Sequence, residues 1–413
     1  MTVLGKEGRP AAGRGSPAQR RVLAVLTGTQ VLGGLGVGIG VAVTTLLAAS
    51  ISGSDTIGGL AQTSAVLGAA LLAVPIARTA ARSGRRASLT LGYGCGTAGA
   101  FIVVIAATLH SWPLMLFGLL FFGGASAAGL AARYAATDLS PPGRSARDLS
   151  TVVWATTIGS VAGPNLAEPA DRLGRHLGLA TDTGPYSLAA VAFGLAAAGI
   201  LALLRPDPLE TSGAGPRPAP SRGGAWETLR RSPGARTAVA AIVVSHTVMV
   251  AVMSMTPVHL DHGHTTLTVV GIVISLHITG MYALSPLVGW TADRFGRIPV
   301  LLLAMAQLAT AAALAGTSSS HDVSRLAVAL VLLGTGWSCG LVAGSALLTD
   351  SIPVERRPAV QGLSDLLMNG GAAAGSVAGG AIVAAFSYGA LAVVAIALVV
   401  PMTAVLVLGR NTS

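Results

Sequence analysis

Long apolar stretches alternate with short polar segments along the whole chain. Each stretch is close to the roughly 20 residues that an α-helix needs to cross the hydrocarbon core of a bilayer. Backbone polar groups find no water there, so these stretches are predicted to be helices. Twelve spans are predicted, at 22–49, 57–77, 87–109, 112–132, 149–167, 186–204, 237–258, 267–290, 298–316, 325–348, 359–385 and 388–408.

The composition supports a membrane protein. Of the 413 residues, 52% are hydrophobic and 10% are charged, whereas soluble globular proteins carry about 25% charged residues. The formal net charge of +10 raises the possibility of a nucleic-acid partner. We reject it because the basic residues fall in short segments between the spans. The bilayer is the expected partner.

The arginine distribution predicts the orientation. If the N-terminus is cytoplasmic, 23 of the 26 Lys and Arg residues lie on the inner side, Arg133 in the segment after span 4 among them. Cytoplasmic loops of membrane proteins carry such an excess. The three exceptions are Arg172, Arg175 and Arg325. Arginine dominates over lysine, and Ala and Gly are abundant, which favours a bacterial source. We therefore expect a multi-pass protein of the bacterial cytoplasmic membrane with both termini inside.

Short motifs recur in the two halves of the chain at a constant offset. They are Arg82-Ser-Gly-Arg85 and Arg294-Phe-Gly-Arg297, Thr137-Asp138-x-x-Pro141-x-x-Arg144 and Thr349-Asp350-x-x-Pro353-x-x-Arg356, and, four residues further apart, Gly159-Ser-Val-Ala-Gly163 and Gly375-Ser-Val-Ala-Gly379. The recurrence predicts an internal duplication. The predicted units are a tail 1–21, a six-helix bundle 22–204, a Pro/Gly/Arg-rich linker 205–236, a second bundle 237–408 and a tail 409–413.

These features resemble the major facilitator superfamily. The strongest local match is Gly289-x-x-x-Asp293-Arg294-x-Gly296-Arg297, which is similar to the loop signature of that family in its second-half copy. Gly159-x-x-x-Gly163-Pro164 in span 5 is similar to a motif of the drug–proton antiporter branch. The resemblance implies an all-α fold of two pseudo-symmetric six-helix bundles around a cavity that spans 1, 4, 7 and 10 line.

The first half departs from the family pattern. Its loop signature keeps Arg82, Gly84 and Arg85, but Ala77 and Ala81 stand where the family has Gly and Asp. The membrane-embedded acid of drug antiporters in span 1 or 4 is also missing. Span 1 offers Gln30 and a run of small residues instead. If protons drive transport, the second half must supply the group that binds them.

Ionisable groups at membrane depth are costly, which makes each one a functional candidate. Asp365 in span 11 is our first candidate for proton coupling, with His277 and His246 next; Asn369 lies one turn after Asp365 and could orient its carboxyl or a substrate. Asn165 lies at the outer end of span 5.

Simpler interpretations exist for the same residues. Asp365 could sit near a helix start and pair with Arg356, the histidines could bridge packed helices, and Glu168 could be a wetted loop residue. The outer segment between spans 7 and 8 carries His259, His262 and His264. Three histidines so close could bind a metal, or occur there by chance.

The leading functional hypothesis is a secondary transporter that exports small amphipathic organic compounds in exchange for protons. The alternatives are uptake of a metabolite, export of a metal ion, and a non-transporting receptor or scaffold. No G-x-x-x-x-G-K-[ST] motif and no nucleophile–base set is found. We therefore expect no enzyme activity, no cofactor and no resident metal, and we expect a monomer. Asp293 is predicted to face the start of span 5 near Arg144 or Arg147, and the Arg82 signature to contact span 11.

Overall fold

The computed structural model describes residues 16–213, 224–261 and 267–410. Within these ranges the regular structure is helical and no strand forms. The α-helices are α1 (Pro17–Ser52), α2 (Asp55–Thr108), α3 (Trp112–Ala135), α4 (Ser145–His176), α5 (Gly184–Leu203), α6 (Pro208–Thr211), α7 (Ala225–Arg231), α8 (Pro233–Asp261), α9 (Leu267–Tyr282), α10 (Ser285–Phe295), α11 (Arg297–Gly316), α12 (Val323–Asp350), α13 (Arg357–Ala385) and α14 (Tyr388–Arg410).

Among the described residues, 10 helices are long and apolar enough to cross a membrane. One of them, α2, holds predicted spans 2 and 3 on either side of a break at Gly84. Predicted span 5 lies in α4, whose low apolar content reflects its acidic and basic residues and two prolines, Pro164 and Pro169. The described helices are therefore consistent with twelve crossings, a number that stays a prediction.

Two glycines reverse the chain at equivalent places. Gly84 separates the parts of α2, and Gly296 separates α10 from α11. Their φ angles are 83° and 98°, in a region that residues with a Cβ rarely adopt. The R-x-G-R motif recurs because both tight connections require a glycine at this position.

Two large hydrophobic cores form, with two smaller clusters beside them. The first involves residues between 22 and 204, which we call the N-half, and the second involves mainly residues between 237 and 410, which we call the C-half. In the N-half core, the rings of Phe122, Tyr186 and Phe193 pack edge to face among alanines. Most of the C-half core is aliphatic, and its aromatic members are Trp337 and Tyr388.

Polar contacts between helices also recur in the two halves. Thr44 of α1 shares a 2.6 Å hydrogen bond with the hydroxyl of Tyr186 on α5. Thr256 of α8 shares one of 2.8 Å with Tyr388 on α14. The first span of each half is thus joined to the last span by the same pair of residue types, in agreement with the predicted duplication.

Both Gly-Ser-Val-Ala-Gly stretches pack against the first span of their own half. Gly159 on α4 lies against the backbone of α1, where a Cβ would collide with the carbonyl of Val31. Gly375 on α13 lies against Thr247 of α8, where a Cβ would meet the methyl group and the carbonyl of that residue. Close approach of helices in membranes depends on such small residues, so this packing is a structural role for both stretches.

Candidate functional site

The two halves meet through polar contacts near one end of the bundle. This end carries Gly84, Gly296 and the starts of α4 and α13, and we call it the arginine-rich side. Its contacts combine two charge clusters, two close helix crossings and one buried ion pair.

The first charge cluster centres on Arg85. Its guanidinium donates to Asp138 of the same half at 2.8 Å and to the Oε1 atom of Gln361 on α13 at 2.8 Å. The Arg85 and Asp138 side chains are 3% and 0% exposed, so the pair is well shielded from water. Arg85 thus links the N-half to the C-half.

The second charge cluster repeats this arrangement at the equivalent place in the C-half. Arg297 lies 3.2 Å from Asp350 of its own half and donates to the hydroxyl of Ser145 on α4 at 2.8 Å. Ser145 also donates to Asp350 at 3.3 Å. Each half therefore contributes an Arg–Asp pair that bonds to a polar residue at the start of a helix in the other half.

Two close crossings lie beside these clusters. A Cβ on Gly289 of α10 would collide with the Ala146 carbonyl and with Ser150 on α4. A Cβ on Gly362 of α13 would collide with Ala77 of α2. Each crossing pairs one glycine with one alanine. The glycine lies on α10 in the first crossing and on α13 in the second, and the alanine lies on α4 and on α2. Ala77 at the family's glycine position is therefore compensated by Gly362.

Asp293 lies at the N-terminus of α4, as we predicted from the sequence. Its carboxylate accepts hydrogen bonds from the backbone N–H groups of Ala146 at 3.2 Å and Arg147 at 2.9 Å. Arg297 donates to it at 2.6 Å. The side chain of Arg147 approaches only to 4.0 Å. A carboxylate is favoured at such a helix start by the unpaired N–H groups and the dipole.

The first-half signature contacts α13, as predicted, and Arg85 makes this contact. Arg82 is exposed, and Arg85 makes the bond to Gln361. The residues that correspond to Ala146 and Arg147 are Gly362 and Leu363, which lie beyond the first four N–H groups of α13. The N–H groups at that depth are used within the helix, so an acid at position 81 would find no free donors there.

A buried ion pair joins the halves between these clusters. Arg133, in the last turn of α3, donates to Asp365 of α13 at 2.6 Å, with side-chain exposures of 1% and 6%. Our prediction that Arg133 belongs to a polar loop is wrong, because the helix extends three residues further than the apolar run. Arg356 is not the partner of Asp365, since it donates to Thr228 at 3.0 Å.

The surroundings of Arg133 satisfy its remaining donors. It bonds to the hydroxyl of Ser345 at 3.1 Å and to the hydroxyl of Tyr134 at 3.1 Å. Arg133 and Ser345 are equivalent positions of the two halves, separated by the repeat offset, so their contact places them beside the pseudo-symmetry axis. Asn369 is buried and donates to the backbone carbonyl of Asp365 at 2.8 Å, not to its carboxyl group.

An aromatic cluster lies in the C-half next to this ion pair. The indole N–H of Trp337 on α12 donates to Nδ1 of His246 on α8 at 2.7 Å. The ring of Tyr282, at the end of α9, meets the Trp337 ring edge to face at 5.5 Å. Trp337 is on the same helix as Ser345, which bonds to Arg133. We did not predict Trp337 or Tyr282 as site residues.

His277 makes a helix-bridging contact. It is fully buried, and its Nδ1 lies 2.8 Å from the Leu330 carbonyl on α12. This supports the packing interpretation of His277. At the outer end of span 7, His259 stacks on the Tyr388 ring at 4.4 Å, while His262 and His264 lie outside the described residues.

In the N-half, Gln30 connects three spans. It accepts from the hydroxyl of Tyr93 at 3.0 Å and donates to Thr156 of α4 at 3.2 Å. Asn165 is exposed and donates to the Val161 carbonyl within its own helix. In the span-5 motif, Gly163 packs against α1 while Pro164 is exposed. Gln30 therefore belongs to the interior, whereas Asn165 does not join it.

The fold and these contacts define a polytopic helical transport protein, and comparison with known proteins gives the family. Residues 26–269 and 249–412 match the model of the Major Facilitator Superfamily, and the chain belongs to this family. It is a multi-pass membrane transporter and not an enzyme.

Three relatives illustrate the match. The uncharacterized MFS-type transporter YddS of Bacillus subtilis (strain 168) is 36% identical over 91% of this chain and 87% of its own length. The riboflavin transporter RfnT of Brucella anthropi is 28% identical over 88% of this chain and 89% of its own. The structure of the MFS transporter FucP in the outward conformation superposes with a TM-score of 0.74 at 15% identity, covering 96% and 99% of the two chains. At this identity the last match concerns the fold.

Proposed function

We propose that this protein is a proton-coupled secondary transporter of the bacterial cytoplasmic membrane that exports small amphipathic organic compounds in exchange for protons. The buried Arg133–Asp365 pair, which joins the two halves beside their pseudo-symmetry axis, is the observation that carries the proposal. The arginine excess favours a cytoplasmic location of the arginine-rich side and of both termini. The structure then corresponds to the state that is closed towards the cytoplasm.

The coupling follows from the charge of the pair. Arginine stays protonated in proteins, so a neutral Asp365 would leave a buried positive charge without compensation. Such a charge is strongly destabilising. Protonation of Asp365 therefore favours separation of the halves on the cytoplasmic side, where water can hydrate Arg133. Release of the proton to the cytoplasm restores the pair. Tyr134 and Ser345 hold Arg133 in place during this cycle.

The polar contacts around the pair act as the cytoplasmic gate in this proposal. Asp293 at the start of α4 and the two Arg–Asp clusters close the same side, but they lie at its rim. Arg133–Asp365 is the better coupling site because this ion pair joins the two halves directly and lies deeper in the bundle. At the rise of an α-helix, the distance from the start of α13 to Asp365 is about 12 Å.

Uptake or export of a flavin is the second candidate function. The similarity to the riboflavin transporter RfnT over most of both chains favours it. In this second candidate function the substrate differs but the role of Asp365 in proton coupling is the same, since symport and exchange both need a group that binds a proton reversibly.

Reconstituted protein tests the proposal. Liposomes with an imposed pH gradient should accumulate riboflavin or ethidium with wild-type protein. Asp365→Asn should abolish this accumulation while exchange of labelled for unlabelled probe across the membrane survives. Glu168→Gln is the matched control, because the Glu168 side chain is 81% exposed. Gradient-driven accumulation by Asp365→Asn at the wild-type rate would contradict the proposed coupling, and so would a lack of transport of both probes by the wild type.

A further inference from the structure

We infer that His246, Tyr282 and Trp337 form a binding subsite for an uncharged, planar heteroaromatic group. This inference rests on the proposed function, because it assigns a class of substrate to the transporter. The three residues come from α8, α9 and α12, so they lie together only in the folded C-half. We call them the aromatic cluster.

The position of the cluster places it in the space between the halves. Tyr282 lies one helical turn before Ser285, whose hydroxyl donates to the Ser150 carbonyl of α4 at 3.2 Å. Trp337 lies about two turns before Ser345 on α12, and Ser345 bonds to Arg133 at the pseudo-symmetry axis. Both His246 and Tyr282 are partly exposed. Because Tyr282 borders the contact between the halves, we assign the exposed parts of both side chains to the substrate path.

The chemistry of the cluster selects the ligand. Trp337 donates its N–H to Nδ1 of His246, so the neutral imidazole carries its proton on Nε2. That nitrogen is a hydrogen-bond donor, for which a ring nitrogen or carbonyl is a suitable partner. The rings of Tyr282 and Trp337 are nearly perpendicular, at 83°, and offer faces and edges for an aromatic group. With a neutral His246 the cluster has no formal charge, and it offers no counter-charge for a cationic ligand.

The two halves differ at the positions of the cluster, whose Trp337 is buried in the C-half core with Tyr282 packed against that core. At the offset that relates Arg133 to Ser345, the equivalent positions in the N-half are Gly34, Ala70 and Ala125. At these positions the N-half has only small side chains: Gly34 lies against the Thr156 carbonyl, and Ala125 is buried. The C-half thus carries three ring systems at places where the same fold uses the smallest side chains, which indicates a task specific to this half.

Equilibrium binding to the purified full-length protein tests the inference without transport. Riboflavin is the probe, with lumichrome as a second uncharged planar ring and L-fucose as a non-aromatic competitor. Wild-type protein should bind both rings, and L-fucose should not displace them. Tyr282→Leu and Trp337→Leu should weaken binding at least tenfold. Trp112→Leu, at the far end of α3 and 39% exposed, should leave it unchanged.

Two further variants keep the test decisive. Trp337→Phe keeps a ring and serves if Trp337→Leu does not fold; it should weaken binding less than Tyr282→Leu. Glu168→Gln, at an exposed acid outside the cluster, should bind riboflavin within threefold of the wild type, and the assay needs no pH gradient, which separates the subsite from proton coupling. Wild-type affinity in the Tyr282 and Trp337 variants, no binding of either ring to the wild type, or displacement by L-fucose would overturn the inference. Failure of proton coupling alone would leave these binding results unchanged.

Discussion

Removal of the negative charge of Asp365 is expected to shift the protein towards the state that is open on the arginine-rich side. Asp365→Asn leaves Arg133, whose side chain is 1% exposed, without its counter-charge. Loss of one partner from a buried ion pair costs about 3–5 kcal/mol. The amide can still accept a hydrogen bond from Arg133, so the lower end of that range is expected. Since each factor of ten corresponds to about 1.4 kcal/mol, the closed state should lose on the order of a hundredfold in relative population.

Asp365→Asn is expected to shift the conformational equilibrium and to leave folding unchanged. The ion pair joins the halves, so their separation relieves the cost by hydrating Arg133, while the core of each half stays intact. Double electron–electron resonance measures this directly. Spin labels at Ser83→Cys and Phe295→Cys, exposed positions of the two halves, should report longer distances in Asp365→Asn after removal of the native Cys95 and Cys339.

Glu168→Gln in the same labelled background is the control, and its distances should match the wild type. Unchanged distances in Asp365→Asn, with normal thermal stability, would refute the reasoning. They would mean that the charge clusters of Arg85 and Arg297 hold the arginine-rich side closed without the central pair.

Three further predictions concern the same side. Asp293→Asn should lengthen the Ser83–Phe295 distances to a smaller extent, because a carboxylate at a helix start contributes about 0.3–2 kcal/mol. Addition of Ala81→Asp should not restore the shorter distances, because α13 offers no free N–H groups at that place. Restoration would disprove this explanation. Gly289→Leu should abolish transport and keep the arginine-rich side open, since the leucine side chain would overlap Ala146 and Ser150. Gly94→Leu is the control and should transport normally, because there is open space around its Cβ. A Gly289→Leu protein that closes and transports would contradict the requirement for a close helix crossing at this position. Gly84→Ala should lower the melting temperature, because its φ of 83° is unfavourable for alanine and its Cβ would collide with the Asp207 carboxylate. Gly28→Ala, whose Cβ meets nothing within 4 Å, should leave the melting temperature unchanged. Equal melting temperatures of the two variants would contradict the requirement for glycine at position 84.

Much of the fold could be predicted from the apolar pattern and from the internal repeats. The position of Asp293 could also be predicted, because a carboxylate at the end of one span is attracted electrostatically to a helix start in the other half. These features depend on residues close in sequence or on the constant offset between the repeats, both of which can be read from a single chain.

The partner of Asp365 could not be predicted in the same way. Arg133 follows directly after an apolar run and resembles a loop arginine, and only the fold shows that α3 continues beyond it and buries it. One signal was present in the sequence. Arg133 and Ser345 are separated by the repeat offset, and equivalent residues that face the axis approach each other. The aromatic cluster escaped prediction because Tyr282 and Trp337 are uncharged and resemble ordinary packing residues.

Proton movement that accompanies substrate movement tests the central claim most directly. Liposomes that contain the protein and the pH-sensitive dye pyranine are exposed to riboflavin, and in parallel to ethidium, without an imposed pH gradient. We predict that entry of at least one probe changes the internal pH for the wild type and Glu168→Gln, with alkalinisation for exchange and acidification for symport, and that Asp365→Asn gives no change. Substrate entry without a pH change in the wild type, or an equal pH change in Asp365→Asn, would contradict the account.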